Sequence, residues 1–184
     1  RFNGQQQASL AHHKRAIELV ANLPETRVTA WIRALAWRAA LLAGENVSLE
    51  ESRRILALAE EIGTTEEILM ARITFGLAHS SNGDPQAAVD VLERALELAR
   101  QANSHLVGRA CGNLASVLGT AGELGRSARL HREGVELARR FGSRLEHWLV
   151  VECALDDYIA GNWDAAIVGA TSYLEHRGVR QFMD

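Results

Sequence analysis

The sequence predicts an all-α fold, a right-handed superhelical solenoid of antiparallel helix hairpins with about four and a half repeats and nine helices. The first observation is a glycine that returns in steps of 40, 39, 39 and 39 residues, at Gly4, Gly44, Gly83, Gly122 and Gly161. The second is the similar helical phrase that follows these glycines, as in GDPQAAVDVLERALELA and GELGRSARLHREGVELA. The third is that no segment shows the two-residue apolar alternation of a β-strand. A fixed period of this length is typical of stacked helical hairpins.

The repeat divides the chain into one half repeat and four full ones, which we expect to form a single repeat domain. The half repeat covers 4–26, and the full repeats cover 27–65, 66–103, 104–142 and 143–178. In each repeat a helix A leads through the glycine turn to a helix B. The first helix, about 7–23, is a helix B without its helix A. The other expected helices cover about 27–43, 48–62, 66–81, 85–102, 104–120, 124–141, 144–160 and 164–176.

The second full repeat shows why these segments should be helices. Asn82 and Gly83 supply a turn, Asp84 is a favourable N-cap, and Pro85 stands in the first helical turn, where a missing N–H does no harm. After it, apolar residues recur every three or four positions and form one broad stripe for burial. They are Ala88, Val89, Leu92, Ala95, Leu96, Leu98 and Ala99.

Small residues recur at fixed distances from the turn glycine, where helices must approach closely. The positions seven before, five after and twelve after it hold Trp37, Gly76, Ala115 and Ala154, then Ser9, Ala88, Ser127 and Ala166, then Ala16, Ala95 and Gly134. This pattern resembles the tetratricopeptide repeat over nearly the whole chain. Three departures stand out: the repeat is about five residues longer than the usual 34, Trp37 replaces a small residue, and Tyr173 replaces the last alanine.

The phrases ELARQANS and ELARRFGS, together with the long repeat, are similar to the helical sensor regions of large bacterial signalling ATPases. That group includes LuxR-type regulators and nucleotide-cyclase-linked ATPases. The resemblance implies that the repeats receive a signal or a partner, while the ATPase and output domains lie elsewhere. We therefore expect this chain to be part of a longer protein.

Composition argues against two classes of partner. The net charge of −3 leaves no cationic surplus for a phosphate backbone, so we expect no direct contact with nucleic acid. No apolar run approaches the roughly 20 residues that span a bilayer, and the richest, 34–43, is interrupted by Arg38. We predict no membrane partner and a cytoplasmic protein.

The sequence predicts no catalytic residue, no metal site and no cofactor. It contains neither a GxxxxGK[ST] phosphate loop nor histidines at zinc-binding spacing. The acidic group of Glu152, Asp156 and Asp157 has no accompanying nucleophile, so we interpret it as a solvated face or a partner-binding patch. Cys111 and Cys153 are expected to be small buried thiols, with a redox pair as the alternative. The chain is thus predicted not to be an enzyme.

The predicted site is the concave groove that such solenoids use for binding. The family resemblance implies that the A helices line it. The expected groove residues are Trp31, Arg38, Met70, Ile73, Leu77, Arg109, Asn113, Ser116, Trp148, Glu152 and Leu155. For Trp31 and Trp148, core packing between hairpins is the alternative.

One known binding mode is not expected. In the tetratricopeptide repeats that clamp a chaperone's terminal carboxylate, lysine and asparagine stand on successive A helices. The matching positions here hold Ala34, Ile73, Gly112 and Val151, and only Arg109 and Asn113 are similar to that arrangement.

Two functions follow from the sequence. The first is a non-catalytic scaffold that binds a protein or peptide, including other domains of the same chain, as the regulatory part of a bacterial signalling or transcription-regulating protein. The alternative is a small-effector-binding sensor domain of an ATPase-coupled regulator.

Overall fold

A computed structural model describes residues 5–45 and 48–175 of the chain. Within these ranges it contains nine α-helices and no strand, which confirms the predicted all-α class. The helices are α1 (Gln5–Val20), α2 (Arg27–Leu42), α3 (Leu49–Ile62), α4 (Thr65–Ser81), α5 (Pro85–Gln101), α6 (Val107–Thr120), α7 (Leu124–Arg140), α8 (Leu145–Ile159) and α9 (Trp163–Glu175). Gly4, His176 and Gly178, which the repeat pattern singled out, lie outside the described residues.

The chain forms two compact units, Arg1–Ala95 and Leu96–Asp184. In the first unit, α2 packs on α1, α3 and α4, and α3 packs on α4. In the second unit, α7 packs on α6 and α8, α8 packs on α9, and α6 also touches α8. Consecutive helices therefore pair, and successive A helices meet within each unit, as expected for stacked hairpins.

The predicted turn glycines end the A helices in a left-handed conformation. Gly44, Gly83, Gly122 and Gly161 have φ of 76°, 83°, 87° and 81°. At the second of these, the N–H of Asp84 donates to the carbonyl of His79 at 3.0 Å, and the N–H of Gly83 to the carbonyl of Ser80 at 3.1 Å. These bonds satisfy carbonyls that the helix end leaves without partners, and glycine adopts the required backbone without strain.

A second series of turns, between repeats, was not predicted. Asn103 (φ 46°) and Gly142 (φ 60°) follow α5 and α7 and stand 39 residues apart. The next N–H donates back to Ala99 at 2.9 Å in the first turn and to Ala138 at 2.8 Å in the second. The signal was present in the repeated phrases ELARQAN and ELARRFG, because asparagine and glycine are the residues that tolerate this conformation best.

Two helix ends differ from the prediction for local reasons. The segment before α6 forms a turn in which the hydroxyl of Ser104 accepts from the N–H of Leu106 at 3.2 Å, and the helix begins only at Val107. The helix α1 ends at Val20 rather than near Leu23. Leu23 precedes a proline, whose ring disfavours helical backbone at that position.

Small residues lie where helices approach, as the repeat pattern predicted. A Cβ added to Gly76 on α4 would lie 2.6 Å from Cγ of Leu92 and 3.4 Å from the carbonyl oxygen of Ala88, both on α5. A Cβ on Gly134 of α7 would meet both Cys111 and Leu149 at 3.2 Å. Ala88, Ala95 and Ala115 have no exposed surface. The side chain of Ser9 lies outside the described residues.

Helix α4 begins with a capping box that carries a titratable group. The carboxylate of Glu67 accepts from the N–H of Thr64 at 2.6 Å and from its hydroxyl at 3.0 Å, and Arg27 Nε donates to it at 2.9 Å. Burial raises the pKa of Glu67, but these hydrogen bonds outweigh it and lower the pKa below the ordinary value of 4.5. A carboxyl with a depressed pKa in the folded state stabilises that state above pH 4.5, and the stabilisation is lost as the pH falls through the folded-state pKa.

We therefore expect Glu67→Gln to lower the free energy of unfolding at pH 7 by about 1 kcal/mol, the usual value of a helix cap. The difference from wild type should shrink as the pH falls below 4.5. Urea unfolding at a series of pH values measures this, and Glu66→Gln, one residue earlier in the same helix, is the matched control. Equal pH profiles for the two variants would contradict the assignment.

None of the described helices has both the length and the apolar composition needed to cross a bilayer.

Candidate functional site

In the second unit, two A helices of successive repeats meet at a tryptophan. A Cβ on Gly112 of α6 would lie 2.5 Å from Cζ3 of Trp148 and 2.7 Å from Cδ2 of Leu149, both on α8. The absence of a side chain at Gly112 thus lets the Trp148 ring lie against the α6 backbone. The indole Nε1 donates to Glu152 Oε1 at 2.8 Å, which brings together two of the predicted groove residues.

The predicted polar residues of α6 bond mainly to their own helix. Asn113 is 8 % exposed, and its Nδ2 donates to the carbonyl of Arg109 at 2.7 Å. Ser116 Oγ donates to the carbonyl of Gly112 at 2.9 Å. These bonds hold the two side chains in place, because each bridges residues one helical turn apart.

Arg109 differs from its neighbours because its charged group lacks an acceptor. The Nε atom is buried and makes no hydrogen bond in the described part of the chain. Burial is the cause that lowers the pKa of Arg109 below its ordinary value of 12.5. The guanidinium nonetheless stays charged at neutral pH, as arginine does in proteins.

Helix α8 presents apolar side chains to solvent on the same face as Trp148. Val151 is 38 % exposed and Leu155 is 49 % exposed. An apolar groove of about 450 Å³ continues from them onto α9, which sequence reasoning missed. Its signal was the spread of apolar residues around more than one face of α9. The groove is lined by Val151, Ala154, Leu155, Tyr158, Trp163, Ala166, Ile167 and Ala170.

The predicted groove residues of the first unit divide into core and surface. Ile73 has no exposed surface and Met70 is 8 % exposed, so both are core residues of this unit rather than direct contacts for a partner. Trp31, Arg38 and Leu77 are half-buried and reach the surface. Trp31 also borders a small cavity beside Ala34 and Ala59, which is consistent with partial core packing.

The first unit also contains a cleft that the groove prediction did not include. It measures about 600 Å³ and lies between α1, α2 and α3. Trp37, the departure from the small-residue pattern, lines it and also packs against the core cluster of Ala34, Ile55, Ala59 and Ala71. Its rim carries both signs of charge, including the ion pair of Lys14 with Glu45 at 2.6 Å.

The prediction of a solvated or partner-binding acidic patch on α8 is wrong for Asp156. Its Oδ2 lies 2.8 Å from Nδ1 of His131 on α7, and the two side chains are 11 % and 2 % exposed. Asp157 pairs with Arg132, also on α7, at 2.8 Å. These carboxylates join two helices, and a sequence cannot show which side chains meet across a helix interface.

Comparison with known proteins gives this architecture a name. Residues 68–105, which begin in α4 and extend past α5, match the family model of the tetratricopeptide repeat. The chain has the tetratricopeptide-repeat fold. No sequence among the curated proteins matches the chain significantly.

Several solved tetratricopeptide-like structures resemble the whole chain at low sequence identity. A Rap protein complexed with competence and sporulation factor is 13 % identical with a TM-score of 0.81, over 97 % of this chain and 53 % of that one. PlcR of Bacillus thuringiensis, in complex with the peptide PapR7 and DNA, is 14 % identical with a TM-score of 0.74, over 99 % of this chain and 70 % of that one.

A signal transduction ATPase from Pyrococcus horikoshii, with a tetratricopeptide repeat sensor, is 17 % identical with a TM-score of 0.66, over 92 % of this chain and 27 % of that one. This chain spans about half the length of the Rap proteins that it matches. At these identities the likeness shows the shared fold. The tetratricopeptide fold is in general a non-catalytic scaffold for protein interactions.

The two cysteines of this tetratricopeptide chain are free thiols. Cys111 is fully buried, and burial raises its pKa to about 12. Cys153 is half-buried, and burial together with nearby Asp156 raises its pKa to about 11. Both thiols are therefore protonated and poorly nucleophilic at neutral pH. No group of three histidine, cysteine, aspartate or glutamate side chains that could hold a metal occurs among the described residues.

Proposed function

We propose that this chain is a non-catalytic module that binds a protein or peptide and serves as the sensor part of a larger bacterial signalling or transcription-regulating protein. The observation that carries the proposal is the A-helix face of the second unit. On α8, Trp148, Val151, Glu152 and Leu155 share one face by helical spacing. Val151 and Leu155 are exposed there beside a tryptophan that its own hydrogen bond holds in place.

This face combines the features that peptide recognition requires. Exposed aliphatic side chains offer apolar area, and tryptophan and arginine are favoured anchors of binding sites. The proposed contact residues of this unit are Arg109, Asn113, Ser116, Trp148, Glu152 and Leu155. In the first unit, the surface-reaching Trp31, Arg38 and Leu77 are proposed contacts on that unit's own A helices.

Proteins with this fold support the regulatory part of the proposal. The Rap protein and PlcR carry a signalling factor and a peptide in their structures, and the archaeal ATPase has a tetratricopeptide sensor. By the same reasoning, ATPase and output domains are proposed for the parts of the whole protein outside this chain.

Phage display of random peptides against the full chain tests the binding face. Leu155→Arg places a charge on the proposed face, and Leu124→Arg, at an equally exposed leucine on α7, is the matched control (49 % and 46 % exposed). Peptides selected on the wild type should bind Leu124→Arg normally and Leu155→Arg about tenfold more weakly, equivalent to about 1.4 kcal/mol. Fluorescence anisotropy measures the affinities. No enrichment, or equal effects of both variants, would contradict the proposal.

The cleft beside Trp37 favours the alternative function, a sensor for a small effector. Its volume of about 600 Å³ lies within the range of small-molecule sites. A metabolite that raises the melting temperature of the wild type but not of Trp37→Ala, in the absence of any selected peptide, would favour this alternative.

A further inference from the structure

We infer that the α6–α8 face of the second unit binds a carboxylate of its ligand through Arg109. The inference rests on the proposed peptide-binding function and names the chemistry of one contact within that site. It starts from a charged group that the folded chain leaves without an acceptor.

Arg109 contrasts with other arginines of similar burial. The guanidinium of Arg33 meets Glu25 at 3.4 Å, and that of Arg72 meets Glu60 at 2.5 Å. Arg109 has no ion pair and no side-chain hydrogen bond in the part of the chain that the structure describes, and its Nε is buried. An exposed arginine such as Arg94 obtains acceptors from water, but a half-buried guanidinium needs an acceptor that fits its position.

The surroundings of Arg109 favour an anion with a single charge. Arg109 is the one charged residue of α6, whose sequence is VGRACGNLASVLGT. Helix α8, LEHWLVVECALDDYI, contains neither lysine nor arginine, so it adds no second cation. A phosphate dianion would need more positive charge than one guanidinium provides, whereas a carboxylate matches the two parallel N–H donors of one arginine.

The neighbouring groups leave this acceptor to the ligand. Glu152 lies on the adjacent helix, and one of its oxygens already accepts the indole N–H of Trp148. The amide of Asn113 donates to the carbonyl of Arg109, one turn away, so it fixes the backbone at the site rather than the guanidinium. A peptide that lies on α8 beside Leu155 could therefore present an acidic side chain or its terminal carboxylate to Arg109.

The test uses peptides selected on the wild type, each made in three forms. One form is unchanged, one has glutamate and aspartate replaced by glutamine and asparagine, and one carries a C-terminal amide. Each form is titrated against wild type, Arg109→Gln, Arg109→Lys and the exposed control Arg94→Gln. The amide form separates a terminal carboxylate from a side-chain carboxylate.

We expect Arg109→Gln to weaken the unchanged peptide about tenfold or more and to leave the neutralised form nearly unaffected, with Arg109→Lys intermediate. Arg94→Gln should change neither. Because Arg109→Gln removes an unpaired half-buried charge, its melting temperature should be no lower than that of the wild type, which shows that the variant folds.

Two results separate the inference from the function beneath it. If peptides bind in a Leu155-dependent manner but Arg109→Gln weakens the charged and neutralised forms equally, the carboxylate contact is wrong and the binding face stands. If no peptide is enriched, the proposed function is contradicted, and this inference falls with it.

Discussion

Ala88→Arg is expected to unfold the first unit. Ala88 has no exposed surface, and its carbonyl oxygen would lie 3.4 Å from a Cβ added to Gly76 on the facing helix. The backbones of α4 and α5 are therefore in near contact, and the space between them holds no long side chain. A guanidinium forced into this interface would be both overpacked and without a hydrogen-bond acceptor. We expect a loss of more than about 4 kcal/mol, a large part of the stability of an ordinary domain.

Circular-dichroism melts of the full chain measure the effect, with Ala57→Arg as the control. Ala57 is an exposed alanine on α3, so the same substitution there should change stability by about 0.5 kcal/mol or less. A cooperative melt of Ala88→Arg at the wild-type temperature would show that close helix approach through small residues does not hold this fold together.

The second large effect is expected at the buried pair of His131 and Asp156. Their side chains are 2 % and 11 % exposed, and they join α7 to α8 through a contact of 2.8 Å. Removing one partner leaves the other polar group buried without its hydrogen bond. We expect Asp156→Ala to lower the free energy of unfolding by about 3–5 kcal/mol, the usual effect of breaking a buried pair.

A double-mutant cycle separates the pair from the cavity that the substitution creates. His131→Leu combined with Asp156→Leu should be more stable than either single variant, because no unpaired polar group remains. The control is Glu136→Ala, which breaks the exposed pair of Glu136 with Arg139 and should change stability by about 1 kcal/mol or less. Additive single effects in urea unfolding would mean that the two side chains do not act together.

Most of the fold could be predicted from the sequence because its signals are local and periodic. The glycines that reverse the chain, such as Gly83 and Gly122, act through their own backbone conformation. The small residues between hairpins, such as Ala115, act through size at fixed offsets. Where prediction missed, the cause was also local, as in the delayed start of α6 after the Ser104 turn.

The site could be predicted less well because it depends on which side chains meet between helices. A position on an A helix does not determine burial, and Ile73 shares its register with Gly112 but is a fully buried core residue. The partners of Asp156 and the absence of one for Arg109 are likewise properties of the packed interface. The cleft beside Trp37 lay outside the predicted groove, although the departure at that residue marked its place.

The left-handed residues after the B helices have a consequence for how such a chain changes length. Between Gly83 and Gly161, every stretch of 39 residues contains one turn of each kind, whatever its starting point. A duplication or loss of one such stretch would therefore add or remove a complete hairpin together with both of its stops. Evolution can in this way extend or trim the array in whole steps, without designing a new junction.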